Sequence, residues 1–372
     1  MCSPGGKQNR KLGALAVLLL FLVSSYWTIR CQKESGTDST SLLLAGLVLA
    51  GPSGCPQIIG DGLTLCGDTV VSLEVSREEF DRVAPWPGIP TADARRYTKE
   101  LLFSRFRDDF DYVVFLINDR NAAAGGWSRS VSQDVTGLGF SPFDNGALYG
   151  TSGNLNAVIY LTTLGAITGG PFLHEIMHTW GNYVLPSESA SHWGLSSAGG
   201  QLGGWDPDTF QDLGYTNGNG KNVYQASKGE SYHYFGVNAN GGNCMPYSPI
   251  ELYLMGLIPS SEVPDIKVAV NPEPEDFPNG IFAADSIDTV TIDDIIADHG
   301  LRTPGPSSSQ KHFRVLTVIL TPTALTNEDW NLVLDDIREM EAPTKAGYCE
   351  NFASATGYRA TIQFGDLNNS LR

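Results

Sequence analysis

The chain has 372 residues, of which 24 are basic and 41 acidic, giving a formal charge of −17. Such a surface repels nucleic acid and anionic membrane faces. A hydrophobic fraction of 41% with seven tryptophans excludes a mostly disordered chain, and the length allows one large domain or two ordinary ones.

Lys7, Arg10 and Lys11 precede an uncharged apolar run over residues 12–27. Residues 1–30 therefore read as a signal peptide or an N-terminal membrane anchor, and the charge bias sends the rest of the chain outward. A secreted and an extracytoplasmic, membrane-anchored protein are both open, and any membrane attachment rests on this segment alone. Residues 31–55, rich in Ser, Thr and Gly, read as a linker or pro-like segment, and residues 56–372 as one domain. Cysteine usage agrees with export. Cys55 and Cys66 enclose a short glycine-containing loop, and Cys244 and Cys349 complete the four of the folded region. Of three pairings we favour Cys55–Cys66 with Cys244–Cys349.

Within the domain, residues 69–75 are strand-like, and two helical segments follow, with Thr91 or Asp93 as N-cap of the second. Residues 112–119 and 157–164 are continuously apolar, the pattern of buried strands. The Gly, Ser and Asn-rich stretch 121–156 between them reads as irregular loops, as does 187–243. Residues 248–257 read as a helix with Ser248 and Glu251 in a capping-box arrangement. A segment at 289–300, a strand at 312–322, a helix at 327–342 and a last strand close the chain. The fold class expected is α/β (α+β): a mixed sheet, one active-site helix and long irregular loops.

The segment after the second apolar strand carries the chemistry. His174-Glu175-Ile176-Met177-His178 is an H-E-x-x-H motif in an apolar frame. Residues four apart share a helix face, so the two imidazoles can grip one Zn²⁺ at about 2.0–2.1 Å each. Glu175 flanks the metal without being a ligand, where a general base must stand to deprotonate a water. A buried Glu175 between two histidines is costly without a metal or partner. The reaction class implied is metal-assisted hydrolysis, foremost of peptide bonds.

With Gly181 three residues after His178, the segment HEIMHTWG resembles the metzincin zinc peptidases, whose motif is H-E-x-x-H-x-x-G-x-x-H. The resemblance implies a zincin-like catalytic domain, a glycine that turns the chain sharply out of the helix, a third histidine, and a methionine beneath the metal. The family's third histidine falls at Val184 here, and the next histidine is His192. Proximity and Gly181 favour His192 as third ligand. A gluzincin-type arrangement, with Glu251 as the ligand on a later helix, is the alternative. Met255 and Met245 compete for the methionine floor, and Tyr247 is implied as a catalytic tyrosine that binds zinc or steadies an oxyanion. The segments HEIMHTWGN, SHW, YSPIELYLMGLIPSSEVP and FRVLTVILTP are also similar to a group of uncharacterised exported bacterial and archaeal H-E-x-x-H proteins.

Two further features offer ligands: Asp206, Asp208 and Asp212 carry oxygens suited to Ca²⁺, and His233 lies between two tyrosines. No serine-hydrolase elbow or phosphate-binding loop occurs. The expectation is an exported zinc endopeptidase acting on protein or peptide substrates. The alternative is a non-catalytic surface binding or adhesion module with a structural or vestigial metal site. A closed structural site would have four protein ligands and no need of Glu175.

Overall fold

The six residues Tyr112–Ile117 are all buried, because the sheet they belong to is covered on both faces. The computed structural model describes residues 54–85, 87–181, 183–187, 191–227 and 242–372. The leader, most of the linker and His233 lie outside the described residues. Residues 50–372 form one compact unit. Among the described residues no helix is long and apolar enough to cross a membrane.

The main sheet has eight strands: β1 (Gln57–Gly60), β2 (Leu63–Cys66), β3 (Val70–Glu74), β4 (Tyr112–Ile117), β5 (Gly126–Ser130), β6 (Ala157–Leu161), β7 (His312–Thr321) and β8 (Thr361–Phe364). Its order is β1-β2-β3-β7-β4-β6-β5. The central strands β3, β7, β4 and β6 are parallel. The hairpin side, β1 to β3, is antiparallel, and so is the far edge, where β5 pairs with β6. On the side away from β4, the ten-residue β7 pairs first with β8 and then with β3.

The period-2 alternation of side chains divides each central strand between two cores. Tyr112, Val114 and Leu116 of β4, with Ala157, Ile159 and Leu161 of β6, pack toward helix α3 (Phe172–Met177). Val113, Phe115 and Ile117 face the opposite layer, which includes Phe80 and Val83 of α1 (Arg77–Val83). That layer continues through α2 (Thr91–Arg96) into Tyr97 and Leu102. The first residue of α2 is Thr91 and its N-cap is Pro90, so neither residue expected to cap does so. The first core is closed by α4 (Pro249–Met255) and α5 (Asn327–Met340), the latter through Trp330, Val333, Ile337 and Met340.

Two stretches read as irregular contain strands. β5 lies within 121–156, and residues 187–243 include Gln211–Thr216 and Asn222–Gln225. The latter two join Glu273–Asp276 and Ile281–Ala284 in a second, four-stranded sheet. A small core seats it, where the Trp205 ring stacks on Phe210 at 5.4 Å and on Phe282 at 5.5 Å. The disulfides are Cys55–Cys66 and Cys244–Cys349, the pairing expected.

Phe115 is wholly buried on the face of the sheet opposite α3. Phe115→Ala should lower unfolding free energy by about 3–5 kcal/mol. Urea denaturation measures this; a loss under about 1 kcal/mol would contradict a close-packed second layer.

Candidate metal centre

The helix α3 is six residues long and buried throughout. So short a helix leaves its terminal N–H and C=O groups to be satisfied by other parts of the chain. At its start Pro171 offers no side-chain cap. Asn243, seventy residues on, supplies one: its Oδ1 accepts from the Leu173 N–H at 2.9 Å. The Asn243 amide also donates to the carbonyls of Ile167 and Thr168, at 2.6 and 3.0 Å. At the other end Thr179 is held twice. Its carbonyl accepts from the Gln133 amide at 2.8 Å, and its hydroxyl meets that of Tyr112 at 3.3 Å.

α3 ends at Met177 with His178 as its C-cap, earlier than the glycine or proline expected to stop it. The glycine at 181 has a different reason from the one the metzincin resemblance implies. It is not in the left-handed region. A Cβ there would stand 2.7 Å from Met177 Cε, 2.8 Å from Leu202 Cδ1 and 3.2 Å from Trp193 Cζ2. Gly181 thus lets the loop that carries His192 lie close against the end of α3.

That loop brings the three histidines together. His178 Nε2 and His192 Nε2 lie 3.1 and 3.2 Å from His174 Nε2. The ligand atoms of the trio all lie within 4.8 Å of one another, the single such group of His, Cys, Asp and Glu among the described residues. Two nitrogens bound to one tetrahedral ion at 2.0–2.1 Å stand about 3.4 Å apart, so the spacing fits shared coordination. His174 Nδ1 donates to the Gln201 carbonyl at 2.6 Å. A carbonyl can only accept, so the proton is on Nδ1 and the Nε2 lone pair faces the cluster. These residues could hold a metal ion with three protein ligands and a fourth position for water or substrate.

Glu175 is 4% exposed, and burial pushes its carboxyl up to about 8. No cationic side chain among the described residues offsets this. Its side chain lies against the first residue of the edge strand: a Cβ on Gly126 would stand 2.8 Å from both Cγ and Oε1 of Glu175. The glycine therefore makes room for the carboxylate beside β5.

The other residues singled out in the sequence lie elsewhere. Glu251 lies outside the group that could hold a metal. It is wholly buried, and its carboxylate accepts four N–H groups: the Trp193 indole at 2.9 Å, Gln201 N at 2.9 Å, Leu202 N at 2.8 Å and Ser248 N at 2.9 Å. Burial raises its pKa while those donors pull it down. The Ser248 contact is the one a capping box requires. Tyr247 is not part of the trio. Its ring is buried and its hydroxyl donates to the Leu173 carbonyl at 2.8 Å, which steadies α3 just before His174. Met255 lines a cavity with Trp180, Arg302 and Phe313, whereas the Met245 carbonyl accepts from the Gln201 amide. Asp206 and Asp212 accept from nearby backbone N–H groups, of Asp208 and Gly214, and the three carboxylates whose oxygens suit Ca²⁺ form no converging group.

Sequence reasoning missed Asn243, Gln201 and Gly126. Gln201 acts on His174 through its backbone carbonyl, which no side-chain pattern can announce. Gly126 opens the stretch Trp127-Ser128-Arg129-Ser130, whose Ser and Arg residues leave no apolar alternation to mark a strand.

No protein family, characterised protein or solved structure matches this chain.

The trio predicts a shared site with no spare ligand. Equilibrium dialysis should give about one divalent transition-metal ion per chain, and His178→Ala or His192→Ala should each reduce retention to background at the same free metal. Retention by His192→Ala equal to that of the unsubstituted protein would remove His192 from the site.

Proposed function

We propose that this protein is an exported zinc-dependent endopeptidase, with His174, His178 and His192 as the ligands and Glu175 as general base. The observation that carries the reading is the convergence of three imidazoles beside a buried, non-ligating glutamate at the open edge of a sheet. Three neutral nitrogen donors with one position left over suit catalytic zinc better than a closed structural site. The two disulfides support an oxidising compartment.

A zinc ion bound there supplies Lewis-acid polarisation of the scissile carbonyl and acidifies the attacking water toward a pKa of about 7. The protein's own groups do the rest. His174, fixed as its Nδ1–H tautomer by the Gln201 carbonyl, keeps Nε2 directed into the cluster. The Glu175 carboxylate takes the proton of the attacking water and delivers it to the leaving amine nitrogen. Gly126 leaves the space that carboxylate needs. β5 ends the sheet, and no described strand pairs with its outer edge. An extended peptide added there by main-chain hydrogen bonds would run past Glu175.

Glu175→Gln should keep the metal while slowing hydrolysis of a mixed peptide library by about 10²–10⁴-fold. Cleavage at the unsubstituted rate with metal bound would take Glu175 out of the mechanism.

Tyr247 divides two roles. With its hydroxyl committed to Leu173, Tyr247→Phe should cost about 1 kcal/mol of stability and change kcat by less than a few-fold. A kcat loss of about 100-fold at full metal occupancy would instead give Tyr247 the catalytic part that the metzincin resemblance implies.

A further inference from the structure

We propose that Glu251 is the positioning residue of the metal centre, tuning His174 through one peptide group and fixing the register of His192 through Trp193. The proposal rests on the metal-site reading above and adds to it a residue that touches no ligand.

The first arm runs through the amide between residues 201 and 202. Its N–H, that of Leu202, donates to Glu251 Oε1 at 2.8 Å, and its carbonyl, that of Gln201, accepts from His174 Nδ1 at 2.6 Å. One peptide plane therefore joins a buried carboxylate to the far nitrogen of a ligand. Hydrogen bonds in such a chain polarise one another. A negative charge on the N–H side makes the carbonyl a stronger acceptor, which makes the imidazole a stronger electron donor at Nε2. Carboxylates commonly bond ligand histidines directly for this purpose. Here the carboxylate acts one peptide away.

The second arm fixes His192. The neighbouring Trp193 donates its indole N–H to the same Oε1 at 2.9 Å, and its backbone N–H to the Leu202 carbonyl at 2.8 Å. Ser187 Oγ closes the loop from the other side, donating to the Trp193 carbonyl at 2.8 Å. Oε2 holds Gln201 N and Ser248 N, each at 2.9 Å, so the carboxylate is clasped by the 200–203 turn and the start of α4. Gly200 and Gly203 exchange paired backbone hydrogen bonds of 3.1 Å across that turn. A Cβ on Gly200 would lie closer to Glu251 Oε2 than any contact permits. The far end of α4 is anchored as well, by the buried Arg302 guanidinium on the carbonyls of Leu254 and Met255 at 3.1 and 3.0 Å. All four partners of the carboxylate are N–H donors, so glutamine cannot replace it without setting an NH₂ against two of them.

The test uses the full folded chain and two readouts other than hydrolysis: Zn²⁺ affinity by chelator competition, and the Nδ1–H proton of His174 in ¹⁵N-histidine-labelled protein. Glu251→Gln should weaken Zn²⁺ binding by about 10–100-fold and move the His174 proton upfield. Gly200→Ala, which alters no hydrogen-bonding side chain, should do the same by displacing the carboxylate. Trp193→Phe removes the indole bond of the second arm and leaves the first arm intact, so it should weaken Zn²⁺ binding while leaving the His174 proton in place. A circular dichroism spectrum matching the unsubstituted protein qualifies each variant. If Glu251→Gln does not fold, Gly200→Ala and Trp193→Phe decide. Folded variants that bind Zn²⁺ as tightly as the unsubstituted protein, or that lose stability with affinity and the His174 proton unchanged, overturn the proposal. Failure of the unsubstituted protein to bind Zn²⁺ would instead overturn the metal-site reading.

Discussion

A six-residue helix buried on every side cannot satisfy its own ends, and that constraint organises everything around the histidines. Each unsatisfied N–H or C=O in such a place costs about 1–3 kcal/mol. The chain therefore brings partners from far along the sequence, Asn243 to Leu173 N and Gln133 to the Thr179 carbonyl, while Tyr247 on Leu173 O and Tyr112 on the Thr179 hydroxyl hold the same two ends in place. The same contacts that make the helix stable fix its rotation and translation. The helix presents His174, Glu175 and His178 from a frame whose two ends are tied to different layers of the molecule. The Cys244–Cys349 disulfide adjoins the residue that caps the helix, so the crosslink lies next to the frame and not at a remote surface.

The sheet contributes position. Its central strands run parallel, are buried on both faces, and end at an antiparallel edge strand. Were β5 another interior strand, Glu175 would lie beneath a covered surface. At the edge, the carboxylate stands against backbone that can still pair outward. The glycine at 126 follows from that closeness, since any side chain there would meet Glu175 or Pro171. An alternation of one residue along β5 decides which of its side chains join the site face, so the register with β6 is part of the site's construction.

How much of this was legible in the sequence varies with the kind of signal. The strands Tyr112–Ile117 and Ala157–Leu161 were readable because burial on both faces leaves an unbroken apolar run. The helix Asn327–Met340 was readable from its stripe, and its Thr326 cap accepts from Asp329 N. His174, Glu175 and His178 were readable because a spacing of four on a helix is a geometric statement. β5 was hidden by Gly and Ser neighbours, and Gln211–Thr216 by its exposure, which removes the hydrophobic alternation that marks a strand. The role of Glu251 was the least legible. A capping-box glutamate and a zinc ligand look alike in one dimension, and its real partners come from residues 193–202, which no periodicity ties to it.

The place of His192 follows from the same anchoring. Where a histidine is delivered by a tight turn directly after the helix, the turn geometry dictates the spacing. Here the residue next to His192 is fixed by side-chain and backbone bonds to the Glu251 carboxylate and to Leu202. Those bonds set where His192 stands whatever the length of chain between it and His178, because loop closure grows only slowly with length. The constraint on residue 181 then changes. It no longer has to adopt a left-handed turn, and it does not. It only has to be small enough for Trp193 and Leu202 to reach the end of the helix. A glycine at that position is thus compatible with two different ways of bringing a third histidine to the helix, and the wider spacing to His192 is what distinguishes them.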